Sequence, residues 1–147
     1  MNQPFITTID NLQLGLFDLG GVLYHANYFV IYERAREDFL RSIALPYSDL
    51  VKENYHLAVI DAELQYKKPI RYGNELVVEL YFSEIGKASF QANYNIFSSR
   101  KSAITDLLHH GRTKHVFVKT SPTHEFEICP LPEQLKKALH NFPSKMS

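Results

Sequence analysis

The sequence predicts an α+β domain in which one curved antiparallel sheet covers a single long helix. Three observations lead to that fold. From Asn27 to Ala44 the apolar residues Tyr28, Ile31, Tyr32, Ala35, Phe39 and Ile43 recur at spacings of three and four, which gives a helix one buried stripe. Beyond it, apolar and polar residues alternate from Leu57 to Tyr66, from Glu75 to Phe82 and from Phe90 to Ile96, the period of strands with one covered face. Glycine and proline punctuate these runs closely enough for consecutive hairpins.

Each element has its own local signal. Phe5 to about Leu16 is β-branched and apolar apart from the Asp10-Asn11 pair, and reads as one short strand. On the outer face of the helix, Glu33 with Arg36 and Glu37 with Arg41 stand at spacings where side chains meet, each acid on the N-terminal side. Pro46 stops that helix. Tyr47 to Tyr55 forms a short second helix with Ser48 as its cap, and Pro69 to Asn74 is a loop. Gly86 marks one turn and His109-His110-Gly111 another, after which Val116 and Val118 share one face of a last strand. A helix from Pro132 to about Leu139 closes the chain, with Glu133 in its first turn and Lys136 and Lys137 beyond, as the helix dipole favours.

Composition bounds what this domain does. At 147 residues and 45% hydrophobic, with no compositional step, residues 1–147 form one domain around one core. Sixteen basic residues balance sixteen acidic ones, so no global field draws the chain to nucleic acid. Cys129 is the single cysteine, which excludes an internal disulfide or a cysteine-based zinc cluster and reads as a small apolar filler. No signal-peptide pattern or membrane-length apolar run is present, and the expectation is a cytoplasmic protein.

The chemistry concentrates in Asp18-Leu19-Gly20-Gly21-Val22-Leu23-Tyr24-His25-Ala26-Asn27-Tyr28. An acid and a histidine seven residues apart, with two glycines between, leave room for a ligand to approach the backbone. There it would meet the N–H groups that open the helix. The ordinary role of an Asp beside glycines is to bond its own backbone in a turn. His25 serves either as a helix-start residue or directly in catalysis, with its backbone favoured over its ring. Asn27 reads as an N-cap, and Tyr24, Tyr28 and Tyr32 as core or interface packing, with contact to a ligand as the alternative for Tyr24 in the loop. His109 and His110, being adjacent, would point apart, so no metal site is expected there.

Read together, Asp18-x-x-Gly21-x-x-x-His25-x-Asn27-Tyr28 and the following Tyr32-Glu33-Arg34-Ala35-Arg36 resemble the signature of the 4-hydroxybenzoyl-CoA thioesterase family of hot-dog folds. The bacterial acyl-CoA thioesterases with histidine before the helix are the most similar branch. Further blocks run through Tyr66-Lys67-Lys68-Pro69-Ile70-Arg71-Tyr72-Gly73-Asn74-Glu75-Leu76, Ile85-Gly86-Lys87-Ala88-Ser89-Phe90 and Thr113-Lys114-His115-Val116-Phe117-Val118. The resemblance implies a dimer whose sheets join edge to edge around two central helices, with active sites at the subunit boundary, often paired again into a tetramer. It implies an acyl-CoA substrate carrying a short aliphatic, 4-hydroxybenzoyl or 1,4-dihydroxy-2-naphthoyl group, with no metal or other cofactor. Asp18 matches the catalytic carboxylate, and the helix-start amide that polarises the thioester carbonyl falls on His25. Gly21, Tyr24 and Asn27 border the substrate. Many members carry a second acid two positions before the catalytic one, where this chain has Leu16.

Coenzyme A brings phosphates, which call for cations at the pocket mouth. Lys67, Lys68, Arg71, Lys87, Arg112 and Lys114 are candidates, and Lys87 is favoured because relatives carry basic residues after the equivalent turn glycine. Two other readings share the fold: a non-catalytic module that binds an acyl thioester, and a hydratase or dehydratase in which histidine and an acid handle a proton.

Overall fold

The computed structural model describes residues 3–100 and 103–143. Six strands form one antiparallel sheet: β1 (Phe5–Ile9), β2 (Tyr55–Tyr66), β3 (Glu75–Ser83), β4 (Ser89–Arg100), β5 (Ala103–Thr120) and β6 (Phe126–Ile128). Their order is β1-β3-β4-β5-β2, with β6 added to the end of β5. The helices are α1 (Tyr28–Ser42), α2 (Tyr47–Lys52) and α3 (Glu133–His140). Because α1 joins β1 at one edge of the sheet to β2 at the other, it crosses the sheet's face, and the sheet closes over it as the sequence predicts.

The stripe on α1 is what the sheet covers. Tyr28, Ile31, Tyr32, Ala35 and Phe39 are each no more than 2% exposed, and Leu40 joins them while Ile43 is only partly buried. They meet Leu76, Val78, Leu80, Ile96 and the other inward residues that alternate along β3 and β4. Near the end of α1, Phe39 meets Phe5, Phe82 and Phe142 at ring-centroid distances of 5.6, 4.7 and 5.6 Å. Phe142 follows α3, whose Leu135 and Leu139 seal that end.

Several local expectations are corrected. β1 ends at Ile9, where Asn11 at φ +54° turns the chain, and Leu14–Leu16 is a 3-10 turn rather than more strand. Ser48 does not cap α2; Pro46, in an extended conformation, is the N-cap, and no side chain bonds there. The two ion pairs expected on α1 are replaced. Arg36 donates to the Tyr94 hydroxyl at 2.9 Å, heading a chain that continues through Thr113 Oγ1 to His115 Nε2, while Arg41 pairs with Asp38 one turn away. Arg36 gives the Tyr94 oxygen a charged donor beside its bond to Thr113, and such a part-buried bond contributes more than an exposed ion pair would.

The largest correction concerns His109-His110-Gly111, which is the middle of β5 and not a turn. His109 is fully buried and its Nε2 hydrogen-bonds the Tyr32 hydroxyl, whereas His110 faces the other side and meets Asn95 Oδ1 at 2.7 Å. The glycine is there for space. A Cβ at position 111 would fall on the Tyr32 hydroxyl oxygen, so the strand can pass over Tyr32 only without a side chain.

β2 forms the outer edge of the sheet. Residues 59–63 are exposed, including Val59 and Ile60, and the register with β5 shifts between Val59 and Asp61. That shift is a bulge, a device common on edge strands.

Replacing Gly111 with Ala forces Tyr32 out of its place, and overpacking of this kind costs about 1–3 kcal/mol. Denaturant unfolding of Gly111→Ala at fixed pH measures it, and an unchanged midpoint would show that Tyr32 can move without penalty.

Candidate active site

The loop before α1 is shaped by its acid. Asp18 Oδ1 accepts the N–H of Gly20 at 2.9 Å and that of Val22 at 3.2 Å, while the backbone closes a tight turn through Asp18 N–H to Val22 O and Gly21 N–H to Asp18 O. Gly21 sits at φ +77°, where a side chain would be strained. Asp18 therefore fills the turn-forming role that an Asp beside glycines ordinarily has, but with one oxygen only. Oδ2 has no hydrogen-bond partner among the described residues.

The loop is also tied to the β2–β3 connection. Leu23 N–H donates to Ile70 O at 2.7 Å and Tyr72 N–H to Gly21 O at 3.0 Å, with an isolated bridge between Val22 and Arg71. Leu16, which stands where many relatives of the resembled family carry an acid, contributes through its backbone. Its carbonyl accepts both the Tyr24 N–H at 3.1 Å and Asn27 Nδ2 at 2.8 Å. Asn27 is consequently not a side-chain cap: it occupies the cap position, but its amide is spent on Leu16.

Between loop and helix, His25–Asn27 is a single 3-10 turn. The His25 N–H meets no acceptor among the described residues, and its carbonyl accepts the Tyr66 hydroxyl at 2.8 Å. Its ring lies against Tyr24, 4.2 Å between centroids, and makes no hydrogen bond to Asp18.

These parts border one cavity of about 480 Å³, lined by residues 22–25 and 66–69 together with Asp18 and Tyr28. Two segments far apart in sequence thus supply the two walls. Asp18, Tyr24 and His25 come together there. Gly21 acts through its backbone from behind the wall, and Asn27 anchors the turn without lining it. Lys67 and Lys68 stand at the rim, their N–H groups both donating to Leu108 O and the Lys68 ammonium 3.4 Å from Asp106. Arg112 is engaged with Glu63. Lys87 is elsewhere: it precedes Ala88, whose carbonyl accepts from Phe117, eight positions along β5 from the His109 that pairs with Tyr66. At ~3.3 Å per residue that is about 26 Å from the cavity within one subunit.

Sequence reasoning missed Tyr66 and treated Tyr28 as packing alone. Both rings line the cavity, 4.9 Å apart and nearly perpendicular, and both rest on His109 at 5.1 and 4.4 Å. The missed signal was the alternation in β2, which turns Leu64 and Tyr66 toward one side just where the strand ends. Burial and the neighbouring His110 lower His109 to about 4, and burial with Arg36 lowers His115 to about 3, so both stay neutral at physiological pH. No group of three or more His, Cys, Asp or Glu side chains suited to a metal is assembled among the described residues.

An antiparallel sheet wrapped on one long helix defines a hot-dog protein. The chain belongs to the thioesterase-like superfamily, which it matches over residues 12–139. A protein of Aquifex aeolicus that carries the provisional name esterase is 30% identical over 83% of this chain and 88% of its own length. Acyl-CoA thioesterase YbgC of Haemophilus influenzae is 27% identical, covering 84% of this chain and 86% of its own. Among solved structures, a hypothetical protein from Aquifex aeolicus superposes with a TM-score of 0.79 at 29% identity, covering 92% of this chain and 99% of that one.

The two buried histidines make the fold acid-sensitive. Unfolded, each binds a proton near pH 6.5; folded, neither does until about 4 or below, so stability falls as the pH drops from about 6.5 toward 4. Melting curves across that window should show the decline, and His109→Gln should make it shallower. An equal slope in the variant would mean His109 contributes nothing to it.

Proposed function

We propose that the chain is an acyl-CoA thioesterase, hydrolysing its substrate to a free acid and coenzyme A. One observation carries the reading: a carboxylate with an uncommitted oxygen and a turn with an uncommitted N–H border the same cavity. Hydrolysis of a thioester needs a group that attacks the carbonyl carbon or activates water, and a donor aimed at the oxygen that becomes negative. Asp18 Oδ2 is the first and the His25 N–H the second. Two routes use the same oxygen: attack to give an anhydride that water then opens, or removal of a proton from water as it adds. Both end with the carbon–sulfur bond broken and the coenzyme A thiolate released. The His25 ring against Tyr24 suits hydrolysis better than a histidine–acid proton relay of the hydratase kind.

The acyl group lies among Tyr24, Tyr28, Tyr66, Val22 and Leu23, a wall that suits a flat aromatic or a short aliphatic acyl chain. Lys67 and Lys68 face the coenzyme A phosphates. The reading includes a homodimer formed through the open edge of β2. A two-fold pairing about the middle of β2 turns the partner's β3–β4 turn toward this end of the joined sheet, and that is how Lys87 would serve the cavity.

Asp18→Asn should lose thiol release by at least about 100-fold, the scale of a removed acid–base or nucleophilic group, while eluting at the same size as the wild type. Near-normal turnover in that variant sinks the assignment. A thiol-release screen over aliphatic and aromatic acyl-CoAs identifies the acyl group, and hydration of crotonyl-CoA without thiol release would move the chain to the hydratases. Lys87→Ala should raise KM several-fold for acyl-CoA but leave acyl-pantetheine, which lacks the nucleotide phosphates, unaffected; equal effects on both would remove Lys87 from the site.

A further inference from the structure

We infer that Tyr66 is a positioning residue for the turn that presents the His25 N–H, and that turnover depends on its hydroxyl as well as its ring. This inference rests on the thioesterase reading above. The hydroxyl donates to the His25 carbonyl at 2.8 Å, across 41 positions of sequence, and so ties the helix-start turn to the end of β2. The loop on the other side of the turn is already held by its own backbone and by residues 70–72. Asn27 anchors the end that leads into α1, and Tyr66 is the tie that holds the His25 carbonyl itself.

The ring that delivers this hydroxyl is itself held. It meets Tyr28 at an interplanar angle of 87° and His109 at 69°, and His109 is locked by Tyr32 beneath. Edge contacts on two sides fix the side chain's direction, while the cavity face of the ring stays half-exposed for an acyl group. Burial raises the Tyr66 hydroxyl above its ordinary range, so it remains a donor at every pH where the enzyme would work.

A peptide unit is rigid, so holding the His25 carbonyl orients the plane that contains the Ala26 N–H and limits rotation about the His25 Cα, on whose other side the His25 N–H projects. Hydrogen bonds weaken steeply as they bend, and an oxyanion donor misdirected by a few tens of degrees loses most of its value. The polarisation that such a bond brings goes to the Ala26 N–H, which shares the peptide unit, so on the His25 N–H Tyr66 acts through aim.

Tyr66→Phe separates the two contributions, because it keeps the ring and removes the bond. The expected result is a kcat lowered about tenfold or more, KM within about twofold of wild type, and faster hydrogen exchange at the Asn27 amide, whose N–H closes the turn on Tyr24 O, with the β5 amides unchanged. Incorporating 3,5-difluorotyrosine at position 66, whose hydroxyl ionises near neutrality, supplies a readout that packing alone cannot mimic. There kcat should fall as the pH rises through that ionisation, whereas wild type stays level. Unchanged kcat in Tyr66→Phe, or a loss of kcat without faster exchange at the turn, overturns the positioning role and leaves the thioesterase reading intact. A wild-type protein that releases no thiol from any acyl-CoA in the screen overturns that reading first, and this inference with it.

Discussion

The structure depends on one steric accommodation, the Tyr32 side chain seated in the gap that Gly111 leaves in β5. Because the helix stripe must be covered, and because its aromatic rings are too large for an ordinary strand to pass at that height, the position of the glycine fixes where β5 crosses α1. Tyr32 stacks flat on Tyr94 of β4 at 4.0 Å and bonds His109 of β5, so two neighbouring strands are located against the same ring. Once β5 is placed, its register with β2 puts Tyr66 opposite His109, and β2 ends beside the start of α1. The two walls of the cavity are brought together by a contact in the core.

The loop that carries Asp18 owes its shape to a different kind of constraint. Leu23 anchors it in the core, but Asp18 itself is exposed, and the turn around it is organised by hydrogen bonds to backbone groups. Dividing the carboxylate between a structural oxygen and a free one lets a single residue both make the turn and face the cavity. A similar economy appears at Leu16, where one backbone carbonyl accepts from both the Tyr24 N–H and the Asn27 amide.

Much of this was legible before any coordinates. The stripe on α1 was read residue by residue from its spacing, since a period of 3.6 leaves a clear trace over fifteen positions. The alternation in β2, β3 and β4 was equally plain. Asp18 and His25 stood out because a signature with several ordered blocks constrains more than any one of its parts. What stayed hidden has a common cause. Gly111 looks like a turn because glycine is ordinarily wanted for its backbone freedom, whereas here it is wanted for its missing Cβ, a demand set by a ring 79 positions earlier. Asn27 looks like a cap because nothing local reveals that Leu16 will claim its amide. Tyr66 looks like the end of a strand, and its partner is a carbonyl in another element. Each is a demand made by distant chain, to which spacing is blind.

The bulge in β2 carries a consequence for what this protein can safely touch. An edge strand that exposes Val59 and Ile60 is an invitation to any extended polypeptide, and such edges can seed fibrils. The register slip beside Ile60 spoils the regular ladder halfway along, and Asp61 and Glu63 place negative charge just after it. A stray strand that zips onto one half of the edge is out of step with the other half. A strand with the same irregularity, read in the opposite direction, stays in step along its length. The flaw in the edge thus narrows the set of strands that could pair with it along its whole length.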